Sequence, residues 1–537
     1  MMPSLSTELK IQNVAITHID KRGVRRYTVD NVTVARATVA DEIMAAELRL
    51  RSFNIEGVFY LNSNIDLKRA ERRRMMLEES VLKVVPIIAL PMVISMLIDS
   101  FYNLADTYFV SQIGTAATAA VGINNSLMHF MRALGMGFGM GAASYISRLL
   151  GAKRGDEASR VASTAVITSI VFVSAGAAIA FVFREPLVTL LGATETSKQY
   201  SMDYATYILL AAPFTAGEIG LSQTLRSEGS TTYSMIGMLA GCFVNLALDP
   251  LFIYTFNWGV AGAAAATALS KVVSFFVLLS PFLRGKSLLR ISPKLFTPRK
   301  DIYVEVARMG IPTFLRASLM SVASVVTNNY AGSYNDSVLA AVSISNRIMM
   351  FVASMVMGFG QGFQPIAGYC YGAKRYKRVR IAFWATTGFG LVICLTLGAV
   401  LYILAPQAVE VFTADDSEIV RIGAYMVRIQ CITLPVHVWG MIINGIFQGL
   451  GKPIGSAILG LSRQVICLIP SMIILNVLFG VSGLMNAQAV SDCLMMFIAV
   501  PLLISVLNFL KKKEKEDPLG DEEEIVLPDE ILEPSEF

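Results

Sequence analysis

The sequence predicts an all-α integral membrane protein: twelve transmembrane helices in two parallel six-helix lobes with internal pseudo-two-fold symmetry. Three observations carry this reading. Of 537 residues, 54% are hydrophobic and only 16% are charged, too little charge to cover a globular surface in water. Long apolar segments follow one another from Val81 to Leu510 without the period-two alternation of a barrel strand. The two halves of that stretch repeat each other in one register. Together these exclude a soluble enzyme, a disordered scaffold and an outer-membrane barrel.

The twelve apolar segments are read as 81–110, 116–148, 158–183, 198–226, 231–255, 258–283, 303–331, 335–370, 379–405, 418–447, 453–478 and 481–510. Each meets the requirement of about 20 residues to cross the hydrocarbon core. The links alternate in charge. Lys68–Arg74, the loop with Lys153 and Arg154, the link with Arg284, Lys286, Arg290, Lys294, Arg299 and Lys300, the loop Lys374–Arg380 and the stub Lys511–Lys515 are basic. The links 111–115, 256–257, 332–334 and 479–480 carry no Lys or Arg. The positive-inside rule then sets both termini in the cytoplasm of a multi-pass protein of the inner or plasma membrane. The expected organisation is a cytosolic N-terminal extension (1–78), an N lobe (79–283), a cytoplasmic connector (284–302), a C lobe (303–510) and a charged cytosolic tail (511–537). The extension has no apolar run near its start, so it is not a secretory signal.

The repeat is explicit. Ala119–Ala120–Val121 matches Ala340–Ala341–Val342, Gly137–Phe138–Gly139 matches Gly358–Phe359–Gly360, and Gly151–Ala152–Lys153–Arg154 matches Gly372–Ala373–Lys374–Arg375, all at an offset of 221. Pro213 and Pro435, Gly229 and Gly451, and Ser234 and Ser456 follow at 222. Six segments per half with the same loop signs means parallel repeats about an axis along the membrane normal, an architecture of secondary transporters.

Ionisable groups inside a bilayer are costly, so each needs a reason. The N-terminal half carries Asp99, Asp106, Arg132, Glu218, Asp249 and Lys271 at span positions; the other half carries Arg316, Arg347, Arg428, Arg463 and Asp492. Asp106 aligns with Thr327 and Asp249 with Ser471, so the shared fold does not require these carboxylates. Asp99, Asn103 and Asp106 share one helix face with Tyr102 beside them, and Asn245 and Asp249 share another. Carboxylates beside neutral oxygen donors on two helix faces suit a site for H⁺ or Na⁺, with Asp106, Asn245 and Asp249 as the Na⁺ candidates. The alternative is that they only pair with Arg132 or Lys271, or cap helices; for Asp99 that alternative weighs more.

The sequence resembles the multidrug and toxic compound extrusion (MATE) transporters over about 81–510. The resemblance is carried by "ALPMVISMLIDSFYNLADTYFVSQIGTAATAAVG", "GAKRGD" and "GAKRYK", "LRSEGS", "NLALDPLFI" and "GVAGAAAATALS". "YNLADT" and "NLALDP" look most like the bacterial DinF-like branch. The resemblance implies export of lipophilic, often cationic compounds in exchange for H⁺ or Na⁺, by alternating access of two lobes. It also implies an N-lobe cation site of Asp106, Tyr102, Tyr204, Asn245, Asp249 and Thr267, with Asp99 and Asn103 as accessory candidates. No acidic pair stands at span seven or ten for a C-lobe coupling site.

The six cysteines all fall in apolar stretches and are read as small core residues, neither disulfides nor metal ligands. No Walker motif, HExxH or GxSxG constellation is present, so neither ATP use nor an intramembrane enzyme is expected. No cofactor is expected beyond the coupling ion. The partners expected are small lipophilic or cationic molecules and the bilayer, with no nucleic acid, and the chain is read as a monomer. A flippase for a lipid-linked saccharide, which would need a strongly cationic cavity, is the rival kept open by Arg132, Arg316 and Arg347.

Overall fold

The computed structural model describes residues 15–19, 25–28, 65 and 67–517, except 196, 414 and 415, with nineteen further side chains, Asn103 and those of 15–19 and 25–28 among them, outside the described set. Most of the extension and the end of the tail therefore lie outside it. Residues 1–64 separate from 65–537 as a unit of their own. Within that first unit, Ala15–Ile19 and Arg25–Thr28 pair as an antiparallel hairpin, with a register irregularity between Ile16 and His18.

From Val81 onward the described chain is helical. The long helices are span 1 (Val81–Ser111), span 2 (Thr115–Gly151), span 3 (Gly155–Val182), span 4 (Lys198–Ser227), span 5 (Thr231–Thr255), span 6 (Gly259–Leu283), span 7 (Lys300–Gly332), span 8 (Asp336–Gly372), span 9 (Tyr376–Ile403), span 10 (Ser417–Gly449), span 11 (Pro453–Phe479) and span 12 (Val481–Glu516). Ten of these, among the described residues, are long and apolar enough to cross a membrane. Spans 2 and 4 are long enough but more polar; they carry His129, Arg132 and Glu218. Short helices that the sequence reading did not foresee follow span 3 (Arg184–Leu190) and span 9 (Ala405–Glu410). Span 12 runs six residues past the expected end at 510, through the lysine stub. There Glu514 pairs with Arg380 at 2.6 Å and Asp517 with Lys374 at 2.7 Å.

The sequence repeat has a packing counterpart. The two Gly-Ala-Lys-Arg loops both turn on a left-handed lysine, Lys153 and Lys374, each at φ 62°, a conformation that costs an L-residue roughly 1–2 kcal/mol. Ser222 bonds Ser234 at 2.7 Å, and at their repeat positions Ser456 donates to Asn444 at 2.8 Å. Spans 1 and 8, and spans 2 and 7, pack across the halves. The closest approach is at the face that bears the basic loops. A Cβ at Gly151 would collide with the Tyr369 carbonyl, and one at Gly372 with the Arg148 carbonyl. Small residues let helix backbones meet where lipid gives no apolar driving force. Arg148 reaches Glu305 across the same seam at 3.1 Å.

Four of the cysteines are buried as expected, but Cys242 is half-buried and Cys493 exposed. In span 12, Cys493 follows the buried Asp492 and so turns outward.

A helix over 67–77 lies on the basic face before span 1. Lys68 donates to the Gly285 carbonyl at 2.7 Å, Arg69 to Leu288 at 3.0 Å and Arg73 to Gly151 at 2.6 Å. Arg378, from the other half of the repeat, donates to the Met76 carbonyl at 2.8 Å. Beside this helix, Glu228 in the loop between spans 4 and 5 is fully buried and holds the connector: its Oε2 accepts from Ser287 Oγ at 2.7 Å and Leu288 N at 2.9 Å. Its Oε1 has no hydrogen-bond partner within normal geometry among the described residues. Burial pushes its pKa up to about 7 from the usual 4.5, against those hydrogen bonds.

Between pH 4.5 and 7 the folded chain therefore holds a proton that the unfolded chain has lost, so stability falls as pH rises through that window and levels off above it. The fall amounts to roughly 3 kcal/mol. Glu228→Gln should flatten this part of the pH profile of the thermal midpoint and raise the midpoint at pH 8. An unchanged profile would show that Glu228 is ionised throughout.

Candidate functional site

Spans 1, 5 and 6 meet inside the first half of the repeat, and their polar side chains form one chain. Tyr102 Oη donates to Thr267 Oγ1 at 3.5 Å. Asn245 Nδ2 reaches Thr267 Oγ1 at 3.4 Å and Asp249 Oδ1 at 3.2 Å. The helical period makes this local: Asn245 and Asp249 are one turn apart on span 5, and Tyr102 and Asp106 one turn apart on span 1. Thr267 is 1% exposed, Asn245 1%, Asp249 0% and Asp106 9%.

The hydrogen bonding is incomplete at both carboxyls. Asp249 Oδ2 and Asp106 Oδ1 are buried without a hydrogen-bond partner among the described residues. Unmet buried acceptors are rare in folded proteins and call for an explanation, such as an ion or water that belongs there. The two carboxyls act on each other electrostatically. They offer oxygen donors of the hard type that a proton or Na⁺ takes. No group of three or more His, Cys, Asp or Glu suited to a metal stands among the described residues; a Na⁺ here would lean on Asn245 and hydroxyl oxygens beside two carboxyls.

Span 5 changes character next to Asp249. Pro250 closes the regular helix and Leu251–Thr255 continue as a π turn, with Phe256 N bonded to Leu251 O at 3.0 Å. Proline removes a backbone donor, and single π turns gather at functional sites. In span 1, Ser95 Oγ donates to the Pro91 carbonyl at 2.7 Å.

Tyr204 is fully buried in the apolar core of this half; its hydroxyl points at Met128 Sδ, 3.8 Å away, and lies near Thr267. Asp99 stands apart from the chain: its Oδ2 pairs with Arg132 Nη2 at 3.0 Å. That is the ion-pair alternative weighed for it from the sequence. The Asn103 side chain lies outside the described residues. His129 is exposed on span 2, while His437 sits in the second half with its Nε2 buried and without a hydrogen-bond partner among the described residues.

Sequence reasoning named Glu218 and Lys271 as intramembrane charges but did not attach them to the site. Lys271 Nζ lies 5.2 Å over the Tyr102 ring and pairs with Glu218 at 3.3 Å, which also accepts from Ser274 at 3.0 Å. The signal was available: Lys271 is one turn after Thr267 on span 6.

This is a multi-pass helical membrane protein with a partly satisfied acidic site inside one half of an internal repeat, an architecture found in membrane transporters. The MatE family profile matches residues 91–251 and 312–478, once in each half, and the chain belongs to that family. Among curated proteins it is similar to the multidrug export protein MepA of Staphylococcus aureus (strain MRSA252), 29% identical over 423 residues, 78% of this chain and 92% of MepA. MepA of Staphylococcus haemolyticus is 27% identical, over 81% of this chain and 95% of that protein. Among solved structures, an outward-facing multidrug resistance MATE transporter of the MOP superfamily superposes with TM-score 0.78 at 26% identity, covering 81% of this chain and 98% of that one. A MOP superfamily transporter from Pyrococcus furiosus, described as having a binding pocket of reverse polarity, gives 0.77 at 26% identity, over 82% and 98%.

Thr267→Val keeps the shape of the side chain but removes the hydroxyl that Tyr102 and Asn245 share. It should destabilise the protein by about 1–3 kcal/mol, the cost of buried donors left unmet. Thr396→Val, at an exposed position where the hydroxyl bonds the Val392 carbonyl of its own helix, should move the thermal midpoint in detergent by far less. Equal midpoints for the two variants would contradict the shared hydrogen bond.

Proposed function

We propose that the chain is an ion-coupled exporter of small lipophilic, often cationic molecules. It exchanges substrate for H⁺ or Na⁺ in the inner or plasma membrane, with its basic loops and both termini in the cytoplasm. Membership of a multidrug efflux family supports the transport class; the MepA relatives support the substrate class. One observation carries the coupling assignment: Asp106 and Asp249, present in only one half of the repeat, each keep a buried carboxylate oxygen without a hydrogen-bond partner among the described residues.

In this reading Asp106 and Asp249 take up the ion. Asn245 and Thr267 orient Asp249, and Tyr102 and Tyr204 shape the surrounding wall. Asp99 sets the position of Arg132 rather than binding the ion. Either ion neutralises the carboxyls and lowers their cost of burial, so its arrival biases one arrangement of the two lobes over another. A cationic substrate is held while the carboxylates are free and leaves as the ion arrives. The two six-helix lobes, 79–283 and 303–510, would rock about a central cavity, hinged at the connector 284–302 on the basic face. The Gly151–Tyr369 and Gly372–Arg148 contacts there support a structure closed toward the cytoplasm. The flippase reading is not favoured: Arg132, one of the three arginines that kept it open, is already neutralised by Asp99.

Asp106→Asn and Asp249→Asn should each insert and fold like the parent chain and lose gradient-driven dye export in proteoliposomes, by at least tenfold at matched protein. Imposing the pH and Na⁺ gradients separately identifies the ion. Export at the parent rate by either variant removes that residue from the coupling.

A further inference from the structure

The second half of the repeat holds a cavity of the opposite polarity. It is a narrow, partly open cleft between spans 7, 8, 10, 11 and 12, with about 20 Å³ of cavity volume in this arrangement. Arg316, Arg463, His437 and Gln464 are its polar groups, and Met320, Met357, Met441 and Met495 face them.

The charges in it do not balance. Arg463 gives its Nε to Asp492 Oδ1 at 2.8 Å. Asp492 is that arginine's counter-ion, and its Oδ1 is also reached by Gln488 at 3.4 Å. This spends the acidic residue of the region, and only on one edge of the guanidinium. Arg316 has no ion pair or hydrogen bond among the described residues, and its Nε is buried without a partner. The Arg316 stem lies against Gly460 of span 11, where even a Cβ would sit 3.1 Å from its Cδ, so the side chain is held at the cavity. His437, 6% exposed, also lines the cavity with its Nε2 unpartnered.

A permanent positive charge inside the membrane with no counter-ion is costly, and a guanidinium is built to grip a carboxylate or phosphate by two parallel hydrogen bonds. The repeat shows that the fold does not impose it. At the established offsets, Arg316 replaces Ser95 and Arg463 replaces Gly241, while Gly440 on the cavity wall replaces Glu218. The second half has gained cations and lost an acid where the first half has the reverse.

We propose that this cavity binds the head of a single-tailed amphiphilic anion, a carboxylate or phosphate monoester. Arg316 and the free edge of Arg463 hold the anionic head, His437 and Gln464 bond its remaining oxygens, and the four methionines accept the start of the apolar tail. Methionine's flexible thioether chain suits a tail of variable shape. The site is independent of the ion-coupling assignment in the other lobe, and it extends the ligand range of the chain from cations to anions.

The test uses the full chain in nanodiscs of zwitterionic lipid, with dansylaminoundecanoic acid as probe and its methyl ester as the uncharged control. The acid should bind more tightly than the ester. Arg316→Gln should weaken the acid roughly tenfold or more, the scale of a hydrogen bond to a charged group, and leave the ester within about twofold. Without ligand that variant should be at least as thermally stable as the parent, because it loses an unpaired charge. Met357→Trp, which fills the cavity from span 8, should weaken both probes. Two competitors then distinguish the sources: displacement by decyl phosphate alone points to a soluble amphiphile, and displacement also by lysophosphatidic acid points to a membrane lipid. Equal binding of acid and ester, or parent affinity for the acid in both variants, overturns the proposal.

Discussion

An ionisable side chain inside a bilayer has no water to turn to, and this protein is organised around that fact. At the bilayer centre an Asp, Lys or Arg costs about 2.5–3.5 kcal/mol or more, so charges there are paired wherever pairing is the whole of their purpose. Asp99 has Arg132, Glu218 has Lys271 and Asp492 has Arg463. Arg226, buried between the halves, is held by Ser234 at 2.9 Å and Gln361 at 2.6 Å. Among the described ionisable side chains inside the spans that lack an ion pair, four keep a buried polar atom without a hydrogen-bond partner. Asp106 and Asp249 are in the first half of the repeat; Arg316 and His437 are in the second. Each half of the repeat thus keeps buried charged groups without a counter-ion, and the two sets have opposite sign.

The same constraint explains how the two halves of the repeat are held together. Lipid tails are as apolar as leucine, so helices associate through close packing and polar contacts rather than through expulsion of water. The seam between the halves is made in that way. Gly151 and Gly372 let backbone meet backbone, and Ser100 bonds Ser354 at 2.6 Å. On the basic face, the helix over 67–77 adds bonds to both halves, through Arg73 to Gly151 and from Arg378 to Met76. Contacts of this kind are exchanged one for another at modest cost, which the proposed rocking of the two halves would use.

Much of the fold was legible because the bilayer reduces it to counting. Apolar length gave the spans, loop charge gave the basic face, and the 221–222 offset gave the repeat. The short helices at Arg184–Leu190 and Ala405–Glu410 were missed, since segments of six or seven residues carry too little periodicity to be seen. The extension of span 12 to Glu516 was missed because lysines ended the apolar run, although they form helix readily. In the site, Tyr102, Asn245, Asp249 and Thr267 were named from helical spacing and family resemblance, and their side chains do form one hydrogen-bonded chain. What spacing could not give was partner choice across helices. The pairing of Asp99 with Arg132, thirty-three positions away, and the placing of Lys271 over Tyr102 depend on how spans 1, 2, 4 and 6 pack. The cationic cavity was hidden for the same reason: Arg316, His437 and Arg463 come from three different spans.

If the unmet oxygens of Asp106 and Asp249 are where the coupling ion sits, substrate and ion must compete for one state of the first lobe, and linkage makes that competition reciprocal. The direct measurement is ion release on substrate binding. Purified protein in weakly buffered detergent solution, or equilibrated with radioactive Na⁺, is titrated with a cationic dye. The account predicts that dye binding releases H⁺ or displaces Na⁺ in proportion to the sites filled, and that the Asp106→Asn, Asp249→Asn double variant binds dye without releasing either. Dye binding by the parent chain that leaves the bound H⁺ and Na⁺ unchanged would contradict it.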